Sequence, residues 1–191
     1  MNNRQIILAS GSAARKAMLE NVGLDFKIIP ANIDEESIIK NSSSDIKTIT
    51  EYLAHAKALH ISKKHSDHLV IGSDQTLEYQ GNLLSKASNI SDAKAKLKML
   101  RGDVHTLYSS VCVALNGEII FSATDNAELK MRDFDNEFLA DYISKNPNAL
   151  ISCVGGYKIE GAGAWLFSSV KGDIFTIMGM PLLPLLGFLQ K

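Results

Sequence analysis

The chain opens on a short apolar run, Gln5 to Ala9 (QIILA), closed at once by the small polar turn Ser10-Gly11-Ser12. A run of this length, bounded by a turn signal, predicts a buried strand. From Ala13 to Val22, apolar positions fall at Ala17, Met18 and Val22, and Gly23 follows as a stop, which predicts a helix. Phe26 to Pro30 (FKIIP) predicts a second strand. Asn32 to Ser44 is polar and predicts a mobile loop. Ile46 to Lys64 predicts a long helix with Asp45 as its cap. His68 to Ser73 (HLVIGS) predicts a strand running into Asp74, continued by Gln75 to Tyr79 and turned at Gln80-Gly81-Asn82.

The second half continues the mixture. Ser91 or Asp92 is the expected cap of a helix to about Arg101, stopped by Gly102. His105 to Leu115 predicts a strand, Asn116-Gly117 a hairpin turn, and Glu118 to Ala123 the returning strand. Ala127 to Met131 predicts a further strand and Asp135 to Ser144 a helix. Lys145 to Gly163 is punctuated by glycine, Ala164 to Val170 predicts a strand, and Ile174 to Leu189 a buried turn and a terminal helix. Strands interleaved with helices imply an α/β fold: a mixed twisted sheet flanked by helices. Loops at strand ends of such sheets usually bind ligands.

Composition narrows this only slightly. At 191 residues the chain suits a single domain over 1–191, or two small lobes sharing one core. With 46% hydrophobic and 21% charged residues it is an ordinary globular sequence, not a disordered one. A formal net charge of −1 argues against binding a nucleic-acid polymer, while a small phosphorylated ligand needs only a few local cations. Cys112 and Cys153 sit in apolar surroundings without zinc-site spacing, as buried free thiols would, and this fits a reducing, cytoplasmic setting. The N-terminal apolar run is too short for a signal peptide, and no segment reads as a membrane span.

Two places carry candidate chemistry. The first is Ser10-Gly11-Ser12 ahead of the predicted helix, with Arg15 and Lys16 in its first turn. Free N–H groups at a helix start favour phosphate, and Arg and Lys add to that attraction. The stretch matches neither GxxxxGK[ST] nor GxGxxG, and serine-rich turns beside basic pairs also occur on plain surfaces. The second is Asp74 at the end of an apolar strand. There a carboxylate is positioned to activate water or hold a metal, although an aspartate bonding its own turn has the same local pattern. Asp34, Glu35, Lys57 and Lys86 are further charged candidates. Several cations would help bind a multiply charged phosphate group, and a helix lysine is equally at home on a solvated face.

Taken in order, LASGSAARKAML, IDE (Ile33–Glu35), LAHAKA around Lys57, IGSDQ (Ile71–Gln75), LLSKA around Lys86, LRGDVHTLYSSV (Leu100–Val111), GYKIEGAGAWLF (Gly156–Phe167) and GMPLLPLL (Gly179–Leu186) resemble the Maf family of nucleotide pyrophosphatases. The resemblance covers nearly the whole chain. It implies a two-lobed body around a central cleft, of the Maf and ITPase-like kind, often as a homodimer. It implies hydrolysis of the α–β phosphate bond of a nucleoside triphosphate with a divalent metal, Mg²⁺ or Mn²⁺. Asp74 would accept the proton and, with Glu35, anchor the metal. Ser10, Ser12, Arg15, Lys16, Lys57 and Lys86 would line the phosphate and metal region.

The resemblance extends to the base. One branch of the family, acting on 7-methyl-GTP, has Gln after the Asp and Glu in the glycine-rich segment, and these positions are Gln75 and Glu160 here. The branch preferring dTTP and UTP has Thr and Gln. A carboxylate at Glu160 could accept from the N–H edge of guanine and offset the charge left by N7-methylation, whereas uracil oxygens would face it as unpaired acceptors. Some positions depart from the pattern. Ala13 stands for the family's Pro, Ala14 lies where the base pocket is shaped, Ala87 follows Lys86 in place of Pro, and Ser109-Ser110 replaces Thr-Gly. The expected function is a nucleoside triphosphate pyrophosphatase acting on a modified nucleotide such as 7-methyl-GTP. The alternatives are a dTTP/UTP or broad-range enzyme, and a nucleotide-binding regulator without catalysis.

Overall fold

The computed structural model describes residues 4–42 and 45–190, which form two compact units built from discontinuous segments. The first comprises the described residues up to Gln75, Tyr108–Asp125, and the described residues from Ile174 onward; the second comprises Thr76–Leu107 and Asn126–Asp173.

In the first unit, β1 (Ile6–Leu8) lies between β2 (Lys27–Ile28) and the start of β3 (Leu69–Tyr79), parallel to both. Its register pairs Ile7 with Val70 and Leu8 with Ile71. β5 (Val104–Leu115) follows β3 in the sheet, and β6 (Glu118–Met131) follows β5 across the Asn116-Gly117 hairpin. Asn116 and Gly117 both take positive φ, 51° and 78°, as such a tight turn demands. β1, the first half of β3 and the second half of β5 are buried on both faces because helices cover both. On one face Leu8, Ile71, Val111 and Val113 pack with Met18 and Leu19 of α1 (Ala13–Asn21) and with Leu182 and Leu185 of α8 (Leu182–Leu189). On the other, Ile7, Val70, Cys112 and Ala114 pack with Ala54, Ala58 and Ile61 of α3 (Ile46–Ser62). Cys112 is a buried free thiol, pushed up to about 12 by loss of water.

The polar stretch expected as a loop from Asn32 contains α2 (Glu35–Lys40). Its signals are electrostatic rather than apolar. Asp34 caps it by accepting from the Ser37 N–H at 3.0 Å, Glu35 and Glu36 occupy the first turn, and Lys40 the last. Ser43 and Ser44, the end of that expected loop, lie outside the described residues. Asp45 caps α3 as expected, accepting from Thr48 N–H at 2.8 Å.

In the second unit, β4 (Asn82–Leu84) pairs antiparallel with the end of β3, and β7 (Phe167–Lys171) antiparallel with the end of β6. β6 is one unbroken strand where two were expected. Helices α4 (Ile90–Leu100), α5 (Asn136–Lys145) and α6 (Pro147–Ser152) pack together, with Leu97, Leu100, Leu139 and Leu150 buried. The cap of α4 is Asn89, accepting from Asp92 N–H at 2.9 Å, not Ser91 or Asp92. Asp92 sits in the first turn and bonds back to Ser88. The segment expected as a strand from Ala164 begins as a 3₁₀ turn, Ala162–Leu166. Cys153, a free thiol like Cys112, is only half-buried. Among the described residues no helix is long and apolar enough to cross a membrane.

Candidate active site

The site is built outward from β3. Side chains alternate along a strand. Val70, Gly72 and Asp74 therefore share the face covered by α3, while Ile71, Ser73 and Gln75 share the other. Gly72 sets how close α3 comes. A Cβ at this position would run into the Ala54 carbonyl and stand 2.7 Å from the Ala58 Cβ, so only glycine lets the helix lie this near. Lys57 stands on the same turn of α3, and that closeness delivers its ammonium to Asp74.

Lys57 Nζ donates to Asp74 Oδ1 and also pairs with Glu35 Oε1 at 2.8 Å. Its side chain and that of Asp74 are about nine-tenths buried, whereas Glu35, at the start of α2, is half-exposed. One cation thus draws together two carboxylates from two separate segments of chain. Such an arrangement does little for stability, since withdrawing the charges from water costs about what their attraction returns. Asp74 lies in the middle of β3, not at a strand end as expected, and convergent buried charges of this kind are instead typical of functional sites.

Arg15, on the first turns of α1, completes the group. Its Nε donates to the Gly179 carbonyl at 2.9 Å and its Nη1 to Ser10 Oγ at 3.2 Å. Loss of water lowers its pKa, and the fields of Asp74 and Glu35 pull it back up. A guanidinium remains charged under such shifts. Ser12 caps α1 by accepting from Arg15 N–H at 3.4 Å, and Ser10 Oγ accepts from Ser12 N–H at 3.2 Å. The Ser10-Gly11-Ser12 turn therefore presents a helix start with two hydroxyls and a guanidinium, a combination suited to phosphate oxygens.

The remaining expected residues fall elsewhere. Lys16 pairs with Glu20 one turn along α1 at 3.5 Å, on an exposed face. Gln75, expected beside Asp74 and facing the base, lies on the opposite face of β3, where its Nε2 donates to Thr176 O (3.0 Å), Ile177 O (2.9 Å) and Ser109 Oγ (3.1 Å). Lys86 and Glu160 belong to the second unit and are both exposed. Among the described residues no three His, Cys, Asp or Glu side chains are grouped to hold a metal. The acidic groups that could hold one are Asp74 and Glu35, hard oxygen donors of the kind Mg²⁺ and Mn²⁺ take.

The sequence reading missed Gly72, Ser73 and the 176–179 segment. The signal for Gly72 was a glycine inside an apolar strand, which marks a close backbone approach. Ser73 Oγ donates to Gly179 O at 3.0 Å, which therefore accepts from both Ser73 and Arg15.

A sequence model of the Maf-like protein family matches residues 5–191. The chain belongs to the Maf family. The Maf relatives resemble it along their whole length. A protein of Granulibacter bethesdensis named nucleoside triphosphate pyrophosphatase is 42% identical over 190 residues, covering 98% of this chain and 96% of its own. One of the same name from Rhodopseudomonas palustris is 41% identical over 187 residues, covering 97% and 93%. A protein of Rhizobium etli named 7-methyl-GTP pyrophosphatase is 38% identical over 190 residues, covering 98% and 96%. The Maf match spans both compact units, so Lys86 and Glu160 lie inside it as firmly as Asp74.

Proposed function

We propose that this chain is a nucleoside triphosphate pyrophosphatase that releases a nucleoside monophosphate and pyrophosphate. The observation that carries the reading is the buried Lys57 holding Asp74 and Glu35 together near Arg15. Family membership and the names of the relatives agree with it. Asp74 takes the proton of a water whose oxygen attacks the α-phosphorus. As that P–O bond forms, the bond from the α-phosphorus to the α–β bridging oxygen breaks, and the electron pair leaves with pyrophosphate. Lys57 holds the Asp74 carboxylate in place and supplies positive charge near the reacting phosphate. Arg15 and the start of α1, with Ser10 and Ser12, bind phosphate oxygens. Asp74 and Glu35 would hold a divalent cation, Mg²⁺ or Mn²⁺, which when bound neutralises phosphate charge and polarises the P–O bonds.

The preferred base is assigned to guanine methylated at N7, on the strength of Glu160. Its carboxylate is exposed at the tip of a loop, is free to accept from the N–H edge of guanine, and opposes the positive charge of the methylated ring. The test is a panel of 7-methyl-GTP, GTP, UTP and dTTP, scored by pyrophosphate release with and without Mg²⁺, on the wild type and Asp74→Asn. Metal-dependent release that is greatest on 7-methyl-GTP and lost in the variant is expected. Release by Asp74→Asn near the wild-type rate would overturn the mechanism. A preference for UTP would overturn only the base.

A further inference from the structure

We infer that His105 is a positioning residue that sets the place of Glu160 through the Tyr157 hydroxyl, and that the preference between bases depends on it. The inference rests on the base-reading role given to Glu160 above. His105 and the glycine-rich stretch that carries Glu160, Gly155 to Gly163, both belong to the second unit. The stretch folds back on itself. Gly161 N–H donates to the Lys158 carbonyl at 3.2 Å, which makes Ile159 and Glu160 the central residues of a tight turn. A Cβ at Gly163 would stand 2.4 Å from the same carbonyl oxygen, so only glycine lets the chain close this tightly behind Glu160. A turn this compact moves as one piece, and whatever holds its root holds the carboxylate.

The root is Tyr157, the residue just before the turn. It is buried, and its hydroxyl shares a 2.6 Å hydrogen bond with Nε2 of His105 on β5. The Tyr157 ring meets that of Phe167 edge-on, with centroids 4.7 Å apart, and Phe167 lies 5.9 Å from the His105 ring. Phe167 opens β7, where the chain leaves the glycine-rich stretch, so one buried histidine touches both feet of the loop. Gly155 makes room for this. A Cβ there would fall 2.2 Å from Tyr157 Cε1. On the far side Tyr142 of α5 donates to the Gly156 carbonyl at 3.2 Å. An apolar pair would fill the space of His105 and Tyr157 without burying an Nδ1 that has no partner among the described residues. What the polar pair adds is direction, since a hydrogen bond fixes where the tyrosine, and the turn after it, can sit.

The test compares His105→Leu, Tyr157→Phe and the double variant with wild type on 7-methyl-GTP and UTP. Each change keeps an apolar body of similar size and removes one partner of the bond. Losing the tie is expected to lower the ratio of kcat/KM for 7-methyl-GTP over UTP about fivefold, the worth of one buried hydrogen bond. The loss should lie in KM for 7-methyl-GTP, with kcat within about twofold on both nucleotides. The double variant leaves neither partner of the bond unpaired, so it should regain most of the stability the single variants lose and serves as the test if they do not fold. Its ratio should stay low, because packing is restored and direction is not. In a Glu160→Gln background Tyr157→Phe should move the ratio by less than about twofold, since both act through one carboxylate. A ratio that recovers with stability in the double variant would overturn the inference in favour of a packing role. An unchanged ratio in all three variants, or an equal fall in the Glu160→Gln background, would also overturn it. If Glu160→Gln alone leaves the ratio at its wild-type value, the base-reading role of Glu160 falls, and the inference falls with it.

Discussion

The two compact units hold their charged groups in opposite ways. In the first, Asp74 and Lys57 are buried and paired, and Arg15 is tied to carbonyl and hydroxyl oxygens before any ligand arrives. In the second, the charged residues assigned to the ligand, Lys86 and Glu160, are exposed, and the buried polar pair is neutral: His105 Nε2 lies 2.6 Å from Tyr157 OH. Groups that must meet a transition state gain from being fixed in advance, because nothing then has to reorganise during reaction. A group that selects among ligands needs only a defined loop position, and loops are where such choices are carried. The contrast predicts that damage in the first unit lowers turnover on every nucleotide, while damage around Glu160 changes which nucleotide is preferred.

The largest effect tests the first half of that contrast. Asp74→Asn keeps the shape and hydrogen-bonding capacity of the side chain but cannot take a proton at neutral pH. The loss of a general base is expected to lower kcat by about 10³-fold on all substrates, with the circular dichroism spectrum unchanged. A loss confined to one nucleotide would break the division of labour between the units.

The next effect tests the neutral pair of the second unit. Burial lowers the pKa of His105 from 6.5 to about 4 and pushes that of Tyr157 up, so both stay uncharged near neutrality. His105 Nδ1 has no partner and would be a buried, unsatisfied N–H if the ring were charged. In the unfolded chain His105 takes up its proton near pH 6.5, and in the folded chain only near pH 4. The stability this residue contributes is therefore full above pH 6.5 and falls as the pH drops from 6.5 to 4. The shift amounts to about 3 kcal/mol, and His105→Gln, which cannot titrate, should remove most of that slope. Urea unfolding at pH 7 and pH 4.5 checks it. Parallel slopes in wild type and variant would show that His105 is not the group responsible.

How much of this was legible in the sequence follows the range of the interactions involved. Strand β1, the Ser10–Ser12 turn, α1, α3 with its Asp45 cap, and the run into Asp74 all depend on near neighbours in the chain, and all were readable. Helix α2 was missed because its stabilising signals are charges at its two ends rather than an apolar stripe, and an apolar stripe is what periodicity detects. The cap of α4 was misplaced because Asn89, Ser91 and Asp92 are all good capping residues and local chemistry does not rank them. In the site, Asp74 and Arg15 stood out by type and position. Gln75 was adjacent to Asp74 in sequence, which on a strand puts it on the opposite face. Gly72 and Gly179 matter only through α3 and α1, which the fold brings to them across the sheet.

Glu160→Gln carries a smaller effect and sharpens the second half of the contrast. Glutamine keeps the length, removes the charge, and replaces one acceptor with a donor. Against 7-methyl-GTP the change loses a charge-assisted contact; against UTP it supplies a donor for a base oxygen. The ratio of kcat/KM for 7-methyl-GTP over UTP is expected to fall about tenfold, while kcat on the preferred substrate changes little. An unchanged ratio with wild-type turnover would remove Glu160 from the base-reading role without touching Asp74.

The smallest effect is expected at Lys16, and it is informative because sequence position alone would rank it with Arg15. The two are neighbours on α1, but only Arg15 is tied to Ser10 and Gly179. Lys16 is half-exposed and paired with Glu20 at 3.5 Å, and an exposed pair one helical turn apart contributes at most about 0.5 kcal/mol. Its charge reaches a bound phosphate only through solvent, which screens it. Lys16→Ala should therefore leave kcat within about twofold and raise KM by a similar factor, with the increase shrinking as salt is added. Arg15→Ala under the same conditions should lose far more and should not recover with salt, since its contribution depends on fixed hydrogen bonds rather than on long-range field. If Lys16→Ala proved as damaging as Arg15→Ala, the start of α1 would have to act as a bed of charge, and the orientation imposed by the Gly179 carbonyl would lose its importance.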